Sequence, residues 1–445
     1  MATSDVLPPG PRGTPIGGSL RRFMTERLDF FLDVARTHGD LASFRFGPRR
    51  IFLASHPDLV EQVLVTDARH YLKHFGARLY KPVLGNGLVT SEGDFWLRQR
   101  RLSQPAFLKH RVLSYAGVMT GLTEQMLADW ADGQSVDVHD QFSALTSRIA
   151  LKTLFDLEDA GNRAAFTDAL REAFTLMSER FRSVLPLPSW MPTPRNLRLR
   201  RTIAHLNRVV DGFVAAGRAR KQPGDDLLSR LLGAQDEDGT RMTDRQLRDE
   251  AMTLYLAGHE TTALTLSWSW DLLARHPEAV ARLVEEWQSV LGGRTPTADD
   301  LPRLTYTDAV ITEAMRVYPP VYLLGREATR DLELGGYRVR KGYTVFVSQW
   351  VSHRDPRYFP DPEPFRPERW LDGLAKRLPK YAYYPFGGGP RVCIGNTFAL
   401  MEAVLVLATV GQRYRFTLAS NAPAEFNPQI TLLPKAGIPT VLRRR

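Results

Sequence analysis

Apolar side chains recur along this chain mostly at helical spacing. The run Asp29-Phe30-Phe31-Leu32-Asp33-Val34-Ala35 opens an amphipathic helix, whereas LASFRFGPRRIFLAS, Leu41 to Ser55, predicts a hairpin of two short strands around Gly47-Pro48. Helical periodicity then dominates from about Gly93 to Leu291. Its punctuation falls at Gly85-Asn86-Gly87, at LPLPSWMPTP (Leu185 to Pro194), at Pro223-Gly224 and at the helix start Thr243-Asp244. The pattern after Thr243 stays helical to about Ala274, an unusual length that predicts a central helix crossing most of the molecule. Small strands are expected to return after Leu334, with Gly335-Gly336 and Lys341-Gly342 as turn signals. The segment from Asp355 to Trp370, broken by Pro356, Pro360, Pro362, Pro364 and Pro367, cannot be regular structure. The architecture read from the pattern is mainly α, with a small β region drawn from both ends of the chain.

Composition narrows the class. With 43% hydrophobic and 24% charged residues the chain is an ordinary globular protein, and disordered or fibrous readings are excluded. At 445 residues it exceeds the roughly 250–300 at which one core stops growing, so length alone favours two domains. No repeat, low-complexity linker or composition break marks a boundary, however. The N-terminus, MATSDVLPPGPRGTPIGGSL, has no cationic start and no apolar run, so neither a signal peptide nor a membrane span is expected. Residues 1–20 read instead as a stiff, proline-rich strap. One cysteine cannot form an internal disulfide or a multi-cysteine zinc site, which points to a reduced thiol in a cytoplasm. The net charge of +10 invites a nucleic-acid reading, with Arg195, Arg198, Arg200 and Arg201 as the densest cluster. Those arginines fit one side of an amphipathic helix and no nucleic-acid motif accompanies them, so no nucleic-acid partner is expected.

The lone thiol, Cys393, lies in PFGGGPRVCIG, Pro385 to Gly395. A lone cysteine is by default a small buried hydrophobe. Here the glycines at 387, 388, 389 and 395 strip bulk from both sides, leaving room for a large flat partner against the backbone near the sulfur. The apolar run that follows reads as a helix to about Leu407. A thiol just ahead of a helix N-terminus sits near unpaired N–H groups that favour the thiolate, a soft anionic ligand suited to haem iron. Arg391 adds a cation that could meet a carboxylate. A nucleophilic role for Cys393 would need a base, and none of the ten histidines can be assigned to it.

Phe386, Gly389, Arg391, Cys393 and Gly395 match every fixed position of the FxxGxRxCxG haem-binding signature, and on these residues the chain resembles the cytochrome P-450 family. Four further stretches agree. Glu313-Ala-Met-Arg316 is similar to the family's ExxR and Pro367-Glu368-Arg369-Trp370 to its PERF/W element, which implies a buried structural network of Glu313, Arg316 and Arg369 bracing the thiolate loop. Within LAGHETTALTLSWSW, Leu256 to Trp270, the resemblance is to the AGx(D/E)T(T/S) segment. It implies that Ala257 and Gly258 face the haem, that Glu260 serves proton delivery, and that Thr261 holds dioxygen and its water, with Thr262 a weaker candidate. The hydroxyls of Thr261 and Thr262 can also bond back to carbonyls a turn earlier. Trp96-Leu-Arg-Gln-Arg100 matches WxxxR, where an indole N–H and a guanidinium four residues apart share a helix face and reach a haem propionate. Arg326 matches a further propionate-binding arginine.

The resemblance spans nearly the whole chain and implies one domain over residues 1–445. It implies haem b (iron protoporphyrin IX) with Cys393 as thiolate ligand and Pro385, Phe386, Gly387, Arg391 and Gly395 around it, and O2 as co-substrate. The expected activity is insertion of one oxygen atom into a hydrophobic small molecule, a fatty acid, terpenoid or similar compound, with Val89 and Val321 lining the pocket and LPLPSWMPTP, with Trp190 and Met191, forming its lip. Electrons would come from a separate ferredoxin or flavodoxin with its reductase, docking on a basic surface made by Arg98, Arg101, Lys109, His110 and Arg111. The protein is expected to be a bacterial-type, cytoplasmic monomer without a fused reductase. A peroxide-driven haem oxygenase and a non-catalytic haem sensor or carrier are the alternatives.

Overall fold

Strand β1 (Leu41–Phe46) turns at Gly47, whose φ of 57° is left-handed, and returns antiparallel as β2 (Arg49–Ala54), with Leu41 opposite Ala54 and Phe46 opposite Arg49. In the computed structural model, which describes residues 6–156, 166–170, 172–173, 175–177, 191–221 and 224–445, this hairpin seeds a five-stranded sheet. Strands β3 (Tyr71–Lys73), β4 (Leu324–Ala328) and β5 (Thr344–Val347) complete it in the order β1-β2-β5-β4-β3, with β2 parallel to β5 and Ile51 opposite Thr344. The chain divides into two compact units. One comprises Met1–Phe75, Leu127–Phe142 and Leu264–Arg445; the other comprises Gly76–Met126 and Ser143–Ala263.

In the first unit, both sheet faces are covered, which is why IFLA in β2 is apolar at every position. Phe52 and Ala54 pack with Val60, Val63 and Leu64 on one side. Ile51 and Leu53 pack on the other against Phe30, Phe31 and Val34 of helix α1 (Arg27–His38). Burial of each such ring contributes roughly 1.5–3 kcal/mol. Helices α6 (Pro277–Leu291) and α7 (Thr305–Val317) are joined by polar caps. Glu286 accepts from the backbone N–H of Tyr306 at 2.6 Å and of Thr307 at 2.9 Å, satisfying donors that the helix start leaves orphaned.

The second unit is helical. It holds α2 (Gly93–Ser103), most of α3 (Val138–Phe155) and α4 (Pro194–Ala219), where Pro194 takes the first position and the Thr193 hydroxyl accepts from the Asn196 N–H. Leu199, Leu206, Val210 and Val214 form the buried stripe of α4, and Arg198, Arg200 and Arg201 stand exposed away from it. The long helix predicted after Thr243 is α5 (Asp244–Arg275), 32 residues, assigned to the second unit up to Ala263 and to the first from Leu264. Its last turns carry Trp268 and Trp270, fully buried, whose indole N–H groups donate to the carbonyls of Leu432 at 2.9 Å and Thr417 at 2.8 Å.

Three expectations about elements are corrected. Strands resume at Leu324, not after Leu334, because β4 is covered on both sides and its Arg326 and Glu327 hide the apolar pattern. The helix after Cys393, α8 (Asn396–Arg413), runs past Leu407. Gly411 does not end it but makes room for an indole: a Cβ there would lie 2.1 Å from the Trp287 ring. The proline-broken segment ends in one helical turn, Glu368–Leu371, as the prolines give out.

Candidate functional site

The loop that presents Cys393 is built from backbone contacts that only glycine permits. Gly387 and Gly389 have φ values of 73° and 66°. A Cβ on Gly389 would lie 1.9 Å from the Leu64 carbonyl oxygen, and one on Gly388 would lie 2.2 Å from the Tyr381 ring. The expectation that all these glycines clear space beside the sulfur is therefore corrected for Gly388 and Gly389, which let the loop press into its own support. The Cys393 N–H donates to the Phe386 carbonyl at 3.0 Å, closing the loop, and Cys393 itself is exposed. Pro385, Phe386, Gly387, Arg391 and Gly395 are all half-buried around it, and Gly395 is the N-cap of α8. Arg326 is buried on β4, its guanidinium donating to the Gly325 carbonyl at 3.1 Å.

Behind this loop lies a charged network sealed from water. Glu313 and Arg316 on α7 both have fully buried side chains and pair at 2.8 Å, and Arg369 joins the same carboxylate at 3.0 Å. Glu313 also accepts from the Trp370 indole at 2.8 Å and the Arg366 N–H at 3.0 Å. Arg316 spends its other donors on the carbonyls of His353 at 3.0 Å, Pro362 at 2.7 Å and Pro364 at 3.1 Å. A segment too rich in proline to form its own ladder thus has its carbonyls satisfied by a side chain.

His353 carries no signal in the sequence pattern. Its Nε2 accepts from the Tyr384 N–H at 3.0 Å, just ahead of the glycines, so the ring anchors the loop only while that nitrogen is unprotonated. Burial, reinforced by Arg316 and Arg354, pushes its pKa well below the ordinary histidine range. Tyr383 and Tyr384 add hydroxyl bonds to the Thr312 carbonyl at 2.8 Å and the Ser352 hydroxyl at 3.0 Å.

In the second unit, α5 carries a short uncovered stretch. Ala251 to Tyr255 and Thr262 to Leu273 are buried, whereas Ala257 is exposed and Gly258, His259, Glu260 and Thr261 are half-buried. The Thr261 hydroxyl donates to the Ala257 carbonyl at 2.7 Å and the Thr262 hydroxyl to the Gly258 carbonyl at 3.1 Å, as their spacing predicts. From α3, Thr146 donates to the His259 carbonyl at 3.0 Å. Trp96 is buried and Arg100 half-buried on α2. Val89 is 40% exposed despite being apolar, and Val321 in the first unit is half-buried. Met191 is half-buried beside helix α4; Trp190 lies outside the described residues.

Of the expected basic surface, Arg98 and Arg101 both pair with Asp236, at 3.0 and 3.2 Å; Arg98 is half-buried, whereas Arg101, Lys109, His110 and Arg111 are exposed. No helix among the described residues is long and apolar enough to cross a membrane.

The donor set fits a haem. Among the described residues no group of three or more His, Cys, Asp or Glu side chains could hold a bare ion. An exposed thiol just ahead of an apolar helix, with Gly387 and Gly395 beside it, suits a metal whose remaining donors come from a macrocycle.

Residues 8–441 match the family model described as Cytochrome P450. The chain is 40% identical over 430 residues to cyclooctatin synthase of Streptomyces melanosporofaciens, covering 95% of this chain and 92% of that one. It is 36% identical over 419 residues to pentalenene oxygenase of Streptomyces avermitilis, covering 93% and 92%. Among solved structures, the retinoic acid-bound cyanobacterial CYP120A1 superposes with a TM-score of 0.87 at 26% identity, covering 99% of this chain and 100% of that one.

Two outcomes follow for the loop support. Glu313→Ala strands the Arg316 guanidinium in a buried site, and denaturant unfolding should show a loss of about 3–5 kcal/mol. His353 is neutral when folded and binds a proton when unfolded below its ordinary pKa of about 6.5, so its contribution is complete above that pH and lost on acidification. Stability of the native protein should fall between pH 6.5 and 5 more steeply than that of His353→Gln, by up to about 1.4 kcal/mol per pH unit, measured as unfolding free energy at each pH.

Proposed function

The chain belongs to the cytochrome P450 family of haem-thiolate monooxygenases, and on that premise we propose that it hydroxylates or epoxidises a cyclic terpenoid, with Cys393 as the axial ligand. The observation that carries the ligand assignment is the exposed position of the chain's only thiol on a loop whose backbone is fixed from behind. When bound there, the haem supplies the activation of O2. Trp96, Arg100, Arg326 and Arg391 are the proposed propionate partners, and Pro385, Phe386, Gly387 and Gly395 flank the ligand. We also take residues 1–445 as one domain, because the family match runs through both units and neither unit is contiguous in sequence.

Thr261 and Glu260 are the proposed proton-handling pair. With its own hydrogen committed to the Ala257 carbonyl, the Thr261 hydroxyl offers lone pairs to a water or an O–H on the reacting side. Glu260, half-buried in the same turn, supplies the proton that such a water passes on. Ala257 and Gly258 have no bulk to block that approach. This pair favours O2-dependent turnover over the peroxide-driven and non-catalytic alternatives.

The substrate class rests on the relatives. Pentalenene oxygenase and cyclooctatin synthase are named for terpenoids, and CYP120A1 binds an isoprenoid acid. Val89 and Val321 as pocket residues suit an apolar ring system better than a charged one. The redox partner proposed is a ferredoxin or flavodoxin with an acidic face for Lys109, His110 and Arg111.

Cys393→Ser should abolish the strongly red-shifted Soret band of the ferrous carbon monoxide complex, and retention of that band overturns the ligand assignment. Thr261→Ala should keep that band yet lower product formed per NAD(P)H by roughly tenfold or more, with peroxide rising in step. Unchanged coupling removes Thr261 from the mechanism. Titration with pentalenene, retinoic acid and lauric acid, read as a Soret blue shift and as products heavier by one oxygen, should favour an isoprenoid. Turnover of lauric acid alone defeats the terpenoid reading.

A further inference from the structure

Two carboxylates on α5 are too deeply buried to act as surface charges and precede the Ala257–Thr261 turn by two helical turns. Asp249 and Glu250 are 7% and 0% exposed, and a buried carboxylate persists only where donors satisfy it. Both are spent on one loop. Asp249 accepts from the Asn86 N–H at 2.8 Å and Glu250 from the Leu88 N–H at 3.0 Å. The second oxygen of Glu250 accepts from the Gln99 amide at 3.1 Å, so one buried carboxylate ties this loop to α2 between Trp96 and Arg100.

The glycines that punctuate the loop exist for this contact. Gly85 has a φ of 62° and a Cβ there would lie 2.1 Å from the Asp249 carboxyl carbon; a Cβ on Gly87 would lie 2.3 Å from the Thr253 hydroxyl. Thr90 closes the loop on itself, its hydroxyl donating to the Gly85 carbonyl at 2.7 Å. With the N–H groups of residues 86 and 88 both held, Leu88 points into the core and Val89 is turned outward at 40% exposure.

We propose that Asp249 and Glu250 are positioning residues that clamp the 85–90 loop onto α5 and thereby fix where Val89 meets the substrate. The inference rests on Val89 lining the pocket, as proposed above. Removing either carboxylate takes away the acceptor of a loop amide, and removing that of Asp249 also opens space beside Gly85, so the loop loosens while the surrounding helices stay packed.

The test uses haem-loaded Asp249→Ala, Glu250→Ala and Gly87→Ala, the last displacing the loop without removing a charge, together with Asp249→Asn and Glu250→Gln, which each keep one acceptor oxygen. Two measurements are made: hydrogen exchange of residues 84–91, and spectral titration with imidazole and 4-phenylimidazole. Exchange in 84–91 should quicken about tenfold in the first three variants and recover in the conservative ones, with α4 unchanged. Affinity for 4-phenylimidazole should fall severalfold while that for imidazole, too small to touch the loop, holds. Unchanged exchange in Asp249→Ala and Gly87→Ala overturns the clamp even if Glu250→Ala does not fold. Faster exchange with unchanged 4-phenylimidazole binding overturns the link to the substrate. Val89→Phe run alongside separates the two ideas: if it alters 4-phenylimidazole binding when the clamp variants do not, the clamp's link to the substrate fails and the pocket stands, and if it alters nothing, the pocket assignment itself falls.

Discussion

The pairing of Glu313 with Arg316 is the constraint on which the ligand loop depends. Two opposite charges with no exposed side-chain surface are costly to bury, and replacing such a pair with apolar residues is often neutral or stabilising. What the pair provides is direction. The carboxylate gathers Arg369, Trp370 and the Arg366 N–H, and the guanidinium gathers the carbonyls of His353, Pro362 and Pro364. A proline-broken segment and the histidine that holds Tyr384 are thereby fixed against α7. The loop of the exposed thiol is thereby tied at Tyr384, through His353, to the buried guanidinium.

The same economy explains part of the positive charge. Several arginines act as forks for main-chain oxygens that no ladder satisfies. Arg27 reaches the Gln429 carbonyl and Arg275 those of Asn421 and Ala422. Arg354, 5% exposed, lies 3.5 Å over the Trp350 ring, and burial brings its pKa down to about 10. Counted as surface, these cations suggest a strongly basic exterior; placed in the fold, they are fasteners of irregular backbone.

Helix α5 shows a different compromise. Its buried turns follow ordinary packing, yet at Ala257 to Thr261 it gives up cover, uses small residues and takes hydroxyl bonds to its own carbonyls. Those bonds compete with the helix ladder and are tolerated because packing on both sides, including Thr146 on the His259 carbonyl, holds the helix in place. Local weakness at that turn is bought with rigidity in the flanking turns.

The sequence by itself determined the β1–β2 hairpin, the extent of α5, the amphipathic α4 and the candidate ligand, because periodicity, turn glycines and a unique thiol are local signals. It also supplied Glu313, Arg316 and Arg369, but only as a resemblance, since i, i+3 charges on a helix look alike whether solvated or sealed. Only the tertiary structure decided that Gly411 seats an indole, that Gly388 and Gly389 serve the loop's own support, and that Arg98 and Arg101 are spent on Asp236. It alone revealed His353, Asp249 and Glu250, whose partners are distant in sequence. Burial and pairing are properties of neighbours, and neighbours from remote segments leave no period in the chain.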